Sequence, residues 1–125
     1  MTPVALPVHG VGEPRPDLKT ISAVFDHAVA TAPETVALHH LGASLTYGEE
    51  GRAVRALARR LAAIAAPGEV VALLLPNSIE FHLAYFAALH AATAPALLNP
   101  LYPAPQLEPL LREASPRAVI CTPLP

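Results

Sequence analysis

Apolar residues first recur at helical spacing in Ile21, Val24, Phe25, Ala28 and Val29, the i, i+3, i+4, i+7, i+8 pattern of a buried stripe. This spacing predicts a helix over 20–32, ended by Pro33. Val36–His40 is β-prone, Gly42 supplies a turn and 44–46 returns, so a small hairpin is expected. Thr46 and Glu49 stand three apart, as a capping box requires. The hydroxyl accepts from the Glu49 N–H while the carboxylate reaches back to the Thr46 N–H. Behind that start, Val54, Leu57, Ala58, Leu61, Ala62 and Ala65 form the apolar face of a second helix, and Pro67 and Gly68 close it.

From residue 70 the pattern changes. The run 70–75 (VVALLL) is apolar without alternation, as a parallel strand buried on both faces needs. Pro76 and Asn77 end it. Asn77 is the expected cap of the next helix, with Glu80 at its third position. That helix, 78–92, is apolar nearly all round and should be largely buried. A second core strand is expected over 94–98, despite Pro95. A loop over 99–103 leads to a helix over 104–115 with Leu107, Leu110, Leu111 and Ala114 as its stripe. Glu108 and Arg112 form an i, i+4 pair in it, and Pro109 should kink it. The third core strand is 117–121.

This order predicts an α/β fold: a partial parallel sheet with covering helices, closed by right-handed crossovers, plus a small N-terminal hairpin. If the chain steps in one direction along the sheet, both crossover helices share a face and the other stays partly bare. The chain alone is then expected to self-associate or stay loosely packed.

Composition narrows the class. The 125 residues suffice for one domain, and 53% hydrophobic against 14% charged residues excludes a disordered chain. Fifteen prolines are present, and Pro3, Pro7, Pro14 and Pro16 mark 1–19 as an extended tail, leaving 20–125 as the folded unit. With a net charge of −2 and no basic patch, nucleic acid is not an expected partner. Arg52, Arg55, Arg59 and Arg60 read as a solvated helix face. The N-terminus lacks a secretory pattern, and no apolar run reaches the ~20 residues of a membrane span, so a cytoplasmic location is expected. The single Cys121 cannot form an internal disulfide and reads as a buried strand thiol.

Candidate chemistry is sparse. Gly10-Val11-Gly12 follows no strand and opens no helix, so it is not a phosphate loop. His39 and His40 are neighbours on a strand and point to opposite faces. His82 and His90 are eight apart on a helix, whereas ligand pairs sit three or four apart. No spacing singles out a catalytic triad. No catalytic, cofactor-binding or metal-ligating residue is therefore expected among these residues.

The order of segments carries a resemblance. Thr20 to Pro33 followed by Thr35-Val36-Ala37-Leu38, then Leu45-Thr46-Tyr47-Gly48-Glu49, then Gly68-Glu69-Val70 through Leu75-Pro76-Asn77-Ser78, then Leu98-Asn99-Pro100-Leu101-Tyr102, then Gln106-Leu107 to Ala118-Val119-Ile120 together resemble the opening of the AMP-forming acyl-CoA synthetases. The resemblance covers residues 20–122. It implies the N-terminal portion of an ATP-dependent acid–CoA ligase, of fatty-acid or aryl-acid type. Such enzymes convert a carboxylic acid and ATP to an acyl-adenylate, then to acyl-CoA, AMP and pyrophosphate. ATP, Mg²⁺ and coenzyme A are implied for the whole enzyme and none for this segment alone. The implied partner is the remainder of the ligase or a complementary chain. The family's nucleotide loop and C-terminal lysine have no counterpart in these residues, so the isolated chain is expected to be inactive. A peptide-synthetase adenylation fragment and a non-catalytic α/β binding module are the alternatives. Three positions depart from the family pattern. Glu50 stands where it has Leu, placing a charge at the edge of an apolar face. Ala92 replaces a turn glycine and puts left-handed geometry there in doubt. Pro109 interrupts a helix that is regular in the family.

Overall fold

A computed structural model of the chain describes residues 15–123; residues 1–14 of the expected tail, with Gly10-Val11-Gly12, lie outside them. In order, the elements are α1 (Ile21–Thr31), β1 (Val36–His40), β2 (Ala43–Thr46), α2 (Tyr47–Ala62), β3 (Val70–Leu74), α3 (Ile79–His90), β4 (Ala94–Leu97), α4 (Ala104–Ala114) and β5 (Ala118–Cys121). Every expected element is present.

Local chemistry explains the boundaries. Strands β1 and β2 pair antiparallel around Leu41-Gly42, whose φ values of 48° and 80° are the two positive angles of a type I′ turn. At the start of α2 the Glu49 N–H donates to Thr46 Oγ1 at 3.2 Å. The reciprocal arm differs from expectation: the Thr46 hydroxyl donates to Glu49 Oε1 at 3.1 Å. Helix α3 is capped by Ser78, not Asn77. Ser78 is the last extended residue, and its Oγ accepts from the Phe81 N–H at 3.1 Å. Asn77 stands one position too early to do this.

Helix α3 ends in a Schellman motif. The Thr93 N–H donates to Ala88 O at 3.0 Å and the Ala92 N–H to Leu89 O at 3.0 Å. That geometry puts Ala92 at φ 59°, so the left-handed turn is kept without its glycine. Helix α4 runs through Pro109 as one continuous helix. Its exposed flank bears the loss of a single N–H bond without ending the helix.

The three-stranded sheet has the order β4-β3-β5 and is all parallel. The chain therefore does not step in one direction. It moves from β3 to β4 one way, then returns past β3 to β5. Right-handed crossovers with opposite steps place α3 and α4 on opposite faces, which corrects the shared-face expectation. Val71, Leu73 and Leu75 join the core built by Phe25 of α1, by Val54, Ala58 and Leu61 of α2, and by Ala84, Ala87 and Ala88 of α3. Ala72 is buried on the opposite side, where α4 contributes no buried residue.

Two expectations fail for lack of cover. In α1 only Phe25 is buried, while Ile21 and Val24 are 54% and 52% exposed, because the helix packs on α2 and α3 along one narrow side. Cys121 is exposed rather than buried. It pairs in register with Leu74 at the end of an outer strand, on the face that α4 covers thinly.

Close approach also matters. A Cβ on Gly51 would lie 2.8 Å from Val29 Cγ1, so this glycine lets α2 seat against α1.

Candidate functional site: a crevice at the carboxyl ends of the parallel strands

The reversal of chain direction creates the site. After β3 the chain enters α3 on one face, and after the neighbouring β4 it enters α4 on the other. Adjacent strands whose connections diverge in this way leave a crevice beyond their carboxyl ends, the usual ligand position in open parallel sheets. A cleft of about 440 Å³ lies there. Leu75, Pro76 and Asn77 line it from the β3 side, Leu97 to Leu101 from the β4 side, and Phe81 from α3.

The lining is apolar apart from two amides. Asn99 Oδ1 accepts from the Leu101 N–H at 2.9 Å and so shapes the loop after β4. Leu101 is 87% exposed at the rim. A second cleft of about 290 Å³ shares Asn77 and Phe81 with the first. Leu38, His39 and His40 of β1 and His82 of α3 extend it. The hairpin thus contributes one wall of this second cleft, beside the first.

The chemistry available is recognition. The larger cleft has no acidic, basic or nucleophilic side chain in its lining, so it can seat an apolar or planar group and offer it amide contacts. Among the described residues no group of three His, Cys, Asp or Glu side chains could hold a metal ion. His90 is engaged elsewhere, with Nε2 2.7 Å from Asp26 Oδ1 and Nδ1 2.7 Å from Phe86 O.

The crevice was missed by sequence reasoning. Pro76-Asn77 reads as a strand end and 99–103 as a loop, but their meeting in space depends on strand order, which no local pattern encodes. The other surprise is Glu50. It is fully buried rather than at the edge of an apolar face, and its carboxyl is pushed up to about 7 by desolvation. A signal existed: Glu50 stands four residues before Val54, on the same stripe.

An open parallel α/β layer with a crevice at its switch point has the architecture in which α/β proteins commonly seat ligands. The chain belongs to the AMP-binding enzyme family, whose model matches residues 25–125. It is 36% identical over 103 residues to the glycine betaine reductase ATRR of Emericella nidulans, covering 82% of this chain and 8% of that protein. It is 31% identical over 112 residues to the nonribosomal peptide synthase roqA of Penicillium rubens, covering 84% of this chain and 5% of that protein. Among solved structures it is similar to the N-terminal subdomain of Klebsiella oxytoca NpsA in complex with anthranilyl-AMSN. The TM-score is 0.77 at 26% identity, over 83% of this chain and 28% of that one. The chain therefore has the fold of the N-terminal region of an adenylate-forming enzyme and spans less than a tenth of the length of the two relatives. Among the described residues no helix is long and apolar enough to cross a membrane.

Proposed function

We propose that this chain serves an enzyme that activates a carboxylic acid with ATP. In that reaction a carboxylate oxygen attacks the α-phosphorus, pyrophosphate leaves and an acyl-adenylate forms. A thiol then attacks the acyl carbon and AMP leaves. The observation that carries the reading is the family match over residues 25–125 on a sheet whose crevice opens at the carboxyl ends of β3 and β4. The role of these residues is to build and wall that end of the sheet, in the cytoplasm. In this reading ATP, Mg²⁺ and the thiol are bound by the remainder of the enzyme, in keeping with the apolar and amide lining of the cleft.

The preferred thiol is coenzyme A and the preferred acid a fatty or aryl acid, on the resemblance of Pro76-Asn77-Ser78 and Asn99-Pro100-Leu101-Tyr102 to the acyl-CoA synthetases. A second reading, a peptide-synthetase adenylation domain, is favoured by the identity to the peptide synthase roqA. ATP–pyrophosphate exchange with fatty, aryl and amino acids, followed by transfer to free coenzyme A or to a carrier protein, distinguishes the two. Exchange with fatty or aryl acids and acyl-CoA formation support the first. Exchange with amino acids alone supports the second. No exchange from the whole enzyme with any acid overturns both.

A further inference from the structure

Glu50 of α2 and His82 of α3 meet inside the contact between the two helices. Glu50 has no exposed surface, and His82 Nε2 lies 2.5 Å from Glu50 Oε1. The contact is close but is not aligned as a hydrogen bond, and both carboxylate oxygens lack any hydrogen-bond partner. Phe86 packs beside the imidazole, with ring centroids 4.8 Å apart, and restricts its movement. The side chain of His82 remains 35% exposed and lines the smaller cleft, which gives a proton a path to solvent.

A buried carboxylate without hydrogen bonds is costly unless it is protonated or paired. One proton on this pair meets the need in either of two ways: neutral acid beside neutral imidazole, or carboxylate beside imidazolium. With no proton, a bare carboxylate is buried. With two, an imidazolium is half-buried against a neutral acid. We propose that Glu50 and His82 form a one-proton latch that ties α2 to α3 and loosens whenever the pair gains or loses a proton.

The direction of the effect follows from the two sites. Desolvation raises Glu50 from the ordinary 4.5 to about 7. Stability linked to its proton is therefore complete below the unfolded value and is lost as pH rises through about 7. Desolvation lowers His82 from 6.5, so its contribution is complete above that value and is lost as pH falls through the folded one. Above 6.5 only the Glu50 contribution still changes, so stability falls as pH rises from there through about 7.

Other titratable groups near the contact are accounted for. On α1, Asp26 pairs with His90 of α3, and His27 lies 3.1 Å from Arg15. On β1, His39 and His40 line the cleft that His82 lines. On α2 itself, Glu49 is bound to Thr46, and Arg52, Arg55, Arg59 and Arg60 are exposed. Among the described residues only His82 lies within ion-pairing distance of Glu50.

The test is carried out on the full chain. Glutamate carboxyl carbons are labelled and followed by NMR across pH, and urea midpoints are measured at about pH 6 and about pH 8. The latch predicts one carboxyl titrating near neutrality, absent from Glu50→Gln. It also predicts a wild-type midpoint that falls between the two pH values, while Glu50→Leu/His82→Leu stays level. The double variant replaces the pair with apolar groups and keeps the measurement open if Glu50→Gln does not fold. All glutamates titrating in the ordinary range, or wild-type and double-variant midpoints changing in parallel, overturns the proposal.

Discussion

The α3 side and the α4 side of the sheet share the same three strands but are packed to different depths. On the α3 side, Val71 and Leu73 have no exposed surface, and α1, α2 and α3 close over them. On the α4 side, Val119 is 46% exposed, Leu110 is 37% exposed, and Leu107 and Leu111 are only half-buried. A groove of about 440 Å³ lies along α4 between Ala104, Leu107 and Leu111. A strand sequence that is apolar on both faces therefore does not guarantee cover on both. The difference lies in the helices. Among the described residues three helices pack over one face, whereas α4 alone lies on the other and buries none of its own residues.

Substitutions can break this comparison. The largest effect is expected from Leu73→Ala, which leaves a cavity in the closed layer and should cost about 2–5 kcal/mol. The matching change on the other side, Leu110→Ala, should stay within about 0.5 kcal/mol. Urea midpoints at unchanged slope report both. Equal losses would mean that α4 covers its face as well as α3 does.

Smaller changes sharpen the account at the helix ends that frame the closed layer. Thr46→Ala removes the hydroxyl that caps α2 and should destabilise by about 1 kcal/mol. Ala92→Gly should act in the opposite direction. A left-handed non-glycine residue costs about 1–2 kcal/mol, and glycine recovers most of it less its own chain entropy, so a gain of under about 1 kcal/mol is expected. A thermal shift to lower stability on Ala92→Gly would contradict the Schellman geometry.

Much of the fold was legible because its signals are local. The Thr46–Glu49 spacing, the run at 70–75, and the stripes of α2 and α4 each specify an element from neighbouring residues. The long-range features were not. Strand order depends on which edge each crossover returns to, and that choice rests on contacts far apart in sequence. The exposure of Cys121, Ile21 and Val24 follows from what fails to cover them, and periodicity cannot register a missing partner. The charge of Glu50 argues for an edge position, whereas its place on the Val54 stripe points inward. Its partner His82 lies 32 residues further on, in a helix whose apolar surroundings hid the pairing. The crevice was unreadable for the same reason as strand order, since its two walls are the loops after β3 and β4.

The central claim is that these residues form one wall of an adenylate-forming enzyme and do not make the nucleotide site themselves. ATP–pyrophosphate exchange tests it most directly, measured with the pure 125-residue chain and with the same chain joined to the remainder of the enzyme, against fatty, aryl and amino acids. The account predicts exchange only from the joined form. Exchange above a blank from the chain alone, or none from the folded joined form, would contradict it.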